Sequence, residues 1–322
     1  MPEAEYTRDD NKFLLLAGAT LDAGQLIQLP TGEAGFLDDD APVSSGAYTD
    51  DVKTRGKVTV EKATGVVLLA GQEVYWDHSA NKLTYQKVND RDFFAGVVVA
   101  DASSAAITAV IDLNKRQRFD IDLARDFFLS TIIGTQALNT MGLYARGGGW
   151  KHILSTTSEA QKVDQLSRDR FDKNANWIAE FVLCVPNDGA GTVVDVNLAV
   201  ANGTHATDAD SIAEFCGVHL DANSTNISAA SRDGTTTVAI TDTTLDYTEG
   251  SAVANRVHVL IDGRDPADVQ IYVNGALVLG STVFRLDNAT GPLGLLIHTE
   301  KTSAADAYEL DIEKARVWFS EQ

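Results

Sequence analysis

The hydrophobic and polar positions of this chain alternate with the short period of β-strands, not the longer period of helices. The clearest stretch runs from Arg55 to Asp77. Val58 and Val60 alternate with polar neighbours, Val66 to Leu69 is unbroken apolar, Gly71 punctuates, and Val74-Tyr75-Trp76 follows. Both halves read as strands, and nothing in them sets a nucleophile beside a base or gathers metal ligands. Before it, Phe13 to Ala17 is a short apolar run, and Leu26, Ile27 and Leu29 form a strand closed by Pro30. After it, the turn formers of Asp77 to Lys82 lead into strands expected at Leu83–Val88, Ala95–Ala100 and Ile107–Leu113. Seven or eight short strands without a helix predict a small barrel or sandwich.

Beyond residue 118 the pattern stays β-rich. Phe119, Ile121 and Leu123 alternate with Asp120, Asp122 and Ala124, and Trp177 to Val185 is a clear strand. Ala160 to Leu166 reads as one turn or two of helix. Asp-Gly or Asn-Gly pairs recur at 188–189, 202–203, 233–234, 262–263 and 274–275. These residues tolerate positive φ, so each pair signals a tight turn. The best hairpin is Val269 to Val273, Asn274-Gly275, then Ala276 to Leu279, with Val269, Ile271 and Val273 on one buried face. These features predict one large antiparallel sandwich. The expected organisation is a polar arm at 1–12, a β-domain at 13–113, a linker at 114–118 and a second domain at 119–322.

Composition narrows the function more than the fold. The formal charge is −20, with 9 basic and 18 acidic side chains before residue 114 and 17 and 28 after it. Such a surface repels nucleic acid at long range, so no nucleic-acid partner is expected. The basic cluster Lys115-Arg116-Gln117-Arg118 lacks interleaved aromatics and reads as a linker or a salt-bridging surface. No apolar stretch approaches the length that crosses a bilayer, and the acidic start MPEAEYTRDDNK is unlike a secretory signal, so no membrane partner is expected. Cys184 and Cys216 sit in apolar runs and read as buried thiols.

Candidate chemistry is sparse. Asp208, Asp210 and Glu214 lie around a turn and offer oxygens of the kind hard cations favour, but without EF-hand spacing; a solvated turn is the expectation. Histidines 78, 152, 205, 219, 258 and 298 show no metal-binding spacing, and His219 and His258 read as hydrogen-bonded sheet residues. Gly147-Gly148-Gly149 lacks the Lys-Ser/Thr of a phosphate loop, and Asp38-Asp39-Asp40 reads as a solvated loop. Trp150, Trp177 and Tyr272 read as core, not sugar platforms. No catalytic, cofactor-binding or metal-binding residue is assigned, and no cofactor is expected.

Two resemblances carry the functional expectation. Arg55-Gly56, Ala63-Thr64-Gly65, Ala70-Gly71, Val74-Tyr75-Trp76-Asp77, Gly96-Val97-Val98 and Val110 to Leu113 resemble the phage capsid-cement (head-decoration) family over roughly residues 13–113. Ser158 to Gln161, Trp177 to Phe181, Val257 to Gly263, Ile271 to Gly275 and Ile312 to Trp318 resemble concanavalin-A-like (laminin-G-like) jelly rolls. The fold class these imply is all-β: a small β-barrel or β-tulip-like domain followed by an antiparallel jelly-roll sandwich. The implied protein is a structural component of the outer capsid surface of a virion, not an enzyme. Its implied partners are the major capsid protein and further copies of itself, as a trimer. Surface glycans are the partner in the alternative reading, a glycan-binding adhesin. Glycosidases of the sandwich fold use an E-x-D-x-E strand, which Glu309-Leu310-Asp311-Ile312-Glu313 matches. The residues after it, Lys314 to Trp318, resemble the closing structural strand of the sandwich instead, so catalysis is not expected there.

Overall fold

The computed structural model describes residues 12–16, 23–37, 48–126, 128–135, 137–140, 149–189, 194–206 and 208–320. The arm as far as residue 11, the Asp38–Asp40 run with the loop to Gly46, and Gly147-Gly148 lie outside the described residues. Chain contacts divide the protein into two units, Met1–Gln117 and Arg118–Gln322.

The first unit contains nine strands among its described residues, slightly more than the pattern predicted. They are β1 (Lys12–Leu16), β2 (Leu26–Gln28), β3 (Ala34–Leu37), β4 (Tyr48–Lys53), β5 (Gly56–Glu61), β6 (Glu73–Asp77), β7 (Lys82–Thr84), β8 (Phe93–Val98) and β9 (Thr108–Leu113). They form a four-stranded sheet, β1-β4-β3-β2, and a five-stranded sheet, β5-β9-β8-β6-β7. One core cluster draws on both sheets, joining Leu26 and Ala34 to Val58, Val74, Trp76 and Ile111. Asn114, assigned to a linker from sequence, clasps this unit. Its side chain accepts from Ala34 N (2.9 Å) and donates to Ala34 O (2.7 Å) and Thr54 O (2.8 Å).

Two expectations fail here. Val66 to Leu69 is not a strand; Leu68 makes only an isolated bridge to Ala102. The strand starting near Leu83 stops at Thr84 instead of reaching Val88. Beyond it the chain turns around Asp92, whose carboxylate accepts from the backbone N–H of His78, Val88 and Asn89. A side chain satisfies donors that a ladder would otherwise take.

The second unit holds β10 (Ile121–Asp122), β11 (Phe128–Ile133), β12 (Ala137–Thr140), β13 (Trp150–Leu154), β14 (Glu159–Ser167), β15 (Trp177–Asn187), β16 (Val194–Ala201), β17 (Glu214–Asp221), β18 (Asn226–Asp233), β19 (Thr237–Asp246), β20 (Val257–Asp262), β21 (Gln270–Val273), β22 (Ala276–Leu277), β23 (Gly294–Ala304) and β24 (Tyr308–Phe319). One sheet runs β12-β13-β24-β15-β20-β21-β22, with β10 beside β24; the other runs β11-β14-β23-β16-β17-β18-β19. Every ladder is antiparallel. Inward-facing residues of both sheets make one core, among them Trp177, Phe181, Val196, Leu198, Val218, Ile261, Ile297 and Val317. This is the all-β jelly-roll sandwich that the strand pattern and the resemblance imply.

The hairpin forms at the turn as read, with shorter arms, Gln270–Val273 and Ala276–Leu277. Val269, Ile271 and Val273 are buried, and Asn274 and Gly275 both take positive φ (50° and 77°), as a type I′ turn requires. The helix expected at Ala160–Leu166 does not form; that stretch lies inside β14. Its polar residues tolerate burial because tertiary partners reach them. Gln165 Oε1 meets His152 Nε2 at 2.9 Å, and Lys162 Nζ lies 3.0 Å from Asp164 Oδ2 and donates to the backbone O of His205 and Ala206. Apolar spacing of three mimicked a helix, and sheet pairing overrode it.

Candidate functional site

In the first unit the strongest surface feature grows from β6 and β8. Tyr75 and Phe94 pair edge to face, with centroids 5.9 Å apart. The Arg116 guanidinium covers Phe94 at 3.5 Å from the ring centroid and lies 3.8 Å from Glu73. Lys115 pairs with Asp112 at 3.2 Å. Lys115 and Arg116 of the basic cluster are therefore bound into the first unit's own surface, while Arg118 belongs to the second unit. A guanidinium over an aromatic face is an attractive cation–π contact, and Arg is among the residue types enriched at interface hot spots.

In the second unit the titratable residues fall into separate groups. Glu309, Asp311 and Glu313 lie along β24 and share two cations. Lys151 bonds Glu309 and lies 3.3 Å from Asp311, while Arg256 Nε donates to Glu313 at 2.7 Å. Burial, joined by the neighbouring carboxylates, raises the Asp311 pKa against the pull of Lys151. The three act as ion-pair partners that tie β24 to β13 and to the start of β20.

Asp208, Asp210 and Glu214 do not converge. Asp208 caps a 3-10 turn at Ala209–Ser211, accepting from Asp210 N (2.8 Å) and Ser211 Oγ (3.1 Å). Glu214 accepts from Thr290 N, Thr290 Oγ1, Gly291 N and Asn202 Nδ2, so it pins the loop before β23; these bonds outweigh burial and lower its pKa. Asp210 alone reaches a further group, at His219.

Four histidines of the second unit are buried, His152 between the two sheets and His219, His258 and His298 on faces turned away from the core. His152 contacts Thr299 Oγ1 (3.0 Å) and Gln165 Oε1 (2.9 Å), and burial pushes its pKa down to about 4. His258 Nε2 donates to Glu180 at 2.8 Å. His298 Nδ1 meets Asp164 at 2.5 Å; burial lowers its pKa, but Asp164 and Glu300 prevail and raise it to about 9. His219 meets Asp221 Oδ1 at 3.0 Å. Cys184 and Cys216 are buried free thiols; burial raises both, Cys184 to about 12. Trp177 and Tyr272 are buried, and Trp150 packs against the core.

A groove of about 350 Å³ opens beside β14 and β23, lined by Ile133, Ala160, Lys162, Ala206, Glu300 and Thr302. Sequence reasoning missed both this groove and the His219 group, because each is assembled from strands distant in the chain. The visible signal was limited to i, i+2 polar pairs within otherwise apolar strands: Asp195 with Asn197, His219 with Asp221, and His298 with Glu300.

No curated protein matches the chain. Among solved structures, the carbohydrate recognition domain of Emp47p is similar at 12% identity and a TM-score of 0.42, covering 62% of this chain and 94% of that one. The lectin UEA-II, solved with galactose, is similar at 12% identity and a TM-score of 0.40, covering 62% and 98%. The Emp46p carbohydrate recognition domain is similar at 11% identity and a TM-score of 0.39, covering 60% and 89%. At these scores the likenesses say nothing about ligands. The family comparison is specific to the first unit, and it agrees with the Arg55–Asp77 strands and the β8–β9 pair: residues 14–113 match the phage cement protein family.

Proposed function

We propose that this chain is a capsid decoration protein that seats on the outer face of a phage head and stabilises it. The match of residues 14–113 to the phage cement protein family carries this reading. The first unit would contact the major capsid protein and other copies of itself, as a trimer, while residues 119–322 face solvent. The mechanism is adhesive: several modest contacts to one shell act together through effective concentration. The arm at 1–12 would order on the shell by pairing its backbone with an exposed sheet edge. Arg116 and Phe94 supply an anchor of the kind described above.

The test is co-sedimentation of the purified protein with heads from its source that lack it, before and after shell expansion. Saturable binding to expanded heads, with greater resistance of those heads to heat, supports the reading; no binding to either form ends it. Deleting residues 2–11, which leaves β1 whole from Lys12, is expected to weaken binding while the thermal transition stays unchanged.

A second reading, a glycan-binding adhesin, is supported by the groove beside β14 and β23. Its volume falls within the range of small-ligand sites, and it mixes apolar and hydrogen-bonding side chains. A glycan array with the full chain, repeated with Glu300→Ala, tests it. Loss of a specific signal in the variant supports it, and an array without signal removes it.

A further inference from the structure

The two outermost strands of the seven-stranded sheet are built differently. β19, at one edge, is guarded. Its ladder with β18 breaks register twice, Thr244 takes positive φ (64°), and Asp242 and Asp246 add negative charge. Irregular register and charge are means by which edge strands avoid pairing with another chain. β11, at the other edge, has neither. Its six residues pair with β14 in unbroken register from Phe128–Ser167 to Ile133–Lys162, and none of them is charged or is Pro. Its other side has no strand partner among the described residues. Leu129, Ile132 and Ile133 are 50%, 48% and 44% exposed, so three large aliphatic side chains stand in solvent on one short strand.

Charge selects the occupant of this edge. Phe127 to Ala145 runs for nineteen residues without a charged side chain, although 22% of the chain is charged and its net charge is −20. Two copies of so acidic a chain repel each other over most of their surface, and they can approach where charge is absent. A partner recognised through ion pairs would find no charge on β11 to meet. We propose that β11 is a self-pairing edge. Two copies of this chain join antiparallel through it across a two-fold axis, continuing the seven-stranded sheet from one copy into the next.

The order of residues along β11 fits that symmetry. Phe128 lies in the core, so alternation puts Leu129, Thr131 and Ile133 on the face turned away from it, beside Leu166, Asp164 and Lys162 of β14. With the axis at Thr131, Leu129 of one copy stands opposite Ile133 of the other, and Thr131 stands opposite its own counterpart. On the other face Ser130 stands opposite Ile132. Aliphatic and Thr–Thr pairs directly across two strands are favourable, and in this register no like charges on the two β11 strands face each other. The contact is small. Six residues with three exposed aliphatic side chains per copy lie at the low end of interface size, so pairing is weak in dilute solution and strengthens where copies are held close together. It does not rest on the capsid reading.

The experiment joins sedimentation equilibrium of the full chain over a range of concentrations to disulfide trapping. Thr131→Cys puts a thiol directly opposite its counterpart, where strand pairing sets the Cα atoms about 4.5–5.5 Å apart, within disulfide range. Oxidation is expected to give a covalent dimer. Leu129→Cys, whose counterparts stand about 13 Å apart in this register, is expected to give none. The parent, with Cys184 and Cys216 buried, is the blank. Thr131→Lys sets like charges face to face and is expected to halve the average mass at high concentration, although it lowers the net charge that keeps copies apart. Ile240→Lys, on the guarded edge, is expected to leave association unchanged. Added salt is expected to strengthen association by screening the net charge. Thr131 and Ile240 are exposed, and circular dichroism checks that each variant keeps the fold. A parent mass that does not change with concentration, together with no Thr131→Cys dimer, overturns the proposal. So does association of Thr131→Lys equal to the parent, or trapping at Leu129 as fast as at Thr131. The measurement uses no heads, so its failure and a failure to bind heads are separate results.

Discussion

Glu180→Gln is expected to be among the most damaging single substitutions in the sandwich. Glu180 lies on β15, faces Arg316 on β24, and is 1% exposed. One carboxylate oxygen accepts from His258 Nε2 at 2.8 Å, and the other accepts from Arg316 Nε. Burial alone would raise the Glu180 pKa, but the charges of Arg316 and Lys314 and the His258 hydrogen bond outweigh it, and the carboxyl is held well below its usual range. Arg316 is also buried, and Phe119 covers its guanidinium at 3.7 Å. The amide keeps the shape and removes the charge that faces the buried guanidinium. Breaking a buried pair by deleting one partner costs about 3–5 kcal/mol. For a unit the size of Arg118–Gln322, where each kcal/mol moves Tm by about 2–4 °C, the loss amounts to roughly 6–20 °C. Differential scanning calorimetry of the full chain reads this shift, and urea unfolding gives the free energy independently. The double variant Glu180→Leu/Arg316→Met is expected to lose less than the sum of the single losses, because an apolar replacement of the whole pair leaves no orphaned charge. A loss below about 1 kcal/mol for Glu180→Gln, or simple additivity in the double variant, would refute the reasoning.

Three further predictions rest on single positions. Gly96 has φ of 157°, and an added Cβ would stand 2.3 Å from Asp112 O, so Gly96→Ala is expected to destabilise the first unit by about 2 kcal/mol or more; an unchanged first-unit transition in calorimetry contradicts this. His152 is buried and neutral, with its pKa lowered from 6.5 to about 4. The unfolded chain then binds the extra proton between those values, so the contribution is complete above pH 6.5 and about 3 kcal/mol is lost as pH falls to about 4. Tm measured from pH 7.5 to 4 should fall less steeply in His152→Gln than in the parent, and parallel curves contradict the assignment. Lys301 is 3% exposed, and its ammonium donates to the backbone O of Ser155, Thr157, Ala304 and Asp306. Lys301→Met strands those carbonyls and is expected to cost about 3 kcal/mol in urea unfolding, with a loss below about 1 kcal/mol counting against it.

Local pattern determined a good deal of this protein. Alternation at Val58 and Val60 marked β5, and the turn chemistry of Asn274-Gly275 marked the β21–β22 hairpin. The apolar settings of Cys184 and Cys216 marked buried thiols, and short motifs between Arg55 and Leu113 pointed to the cement family. Each is legible because strand period and turn preference act between residues adjacent in the chain. Tertiary structure decided what those strands bring together. Ala160–Leu166 had the spacing of a helix and became β14, because β11 and β23 pair with it and Lys162, Asp164 and Gln165 find partners across the sheet. Glu309, Asp311 and Glu313 matched a catalytic motif that the following residues already argued against, and only the fold showed that Lys151 and Arg256, far away in sequence, pair with them. Asp195 and Asn197 meet His219 and Asp221 only because β16 and β17 pair in one register, and Asp210 joins them only because its loop folds back onto the sheet. A one-residue slip would send that whole polar set into the core, so register decides the site, and register is fixed by the sum of long-range contacts and by no single stretch of sequence.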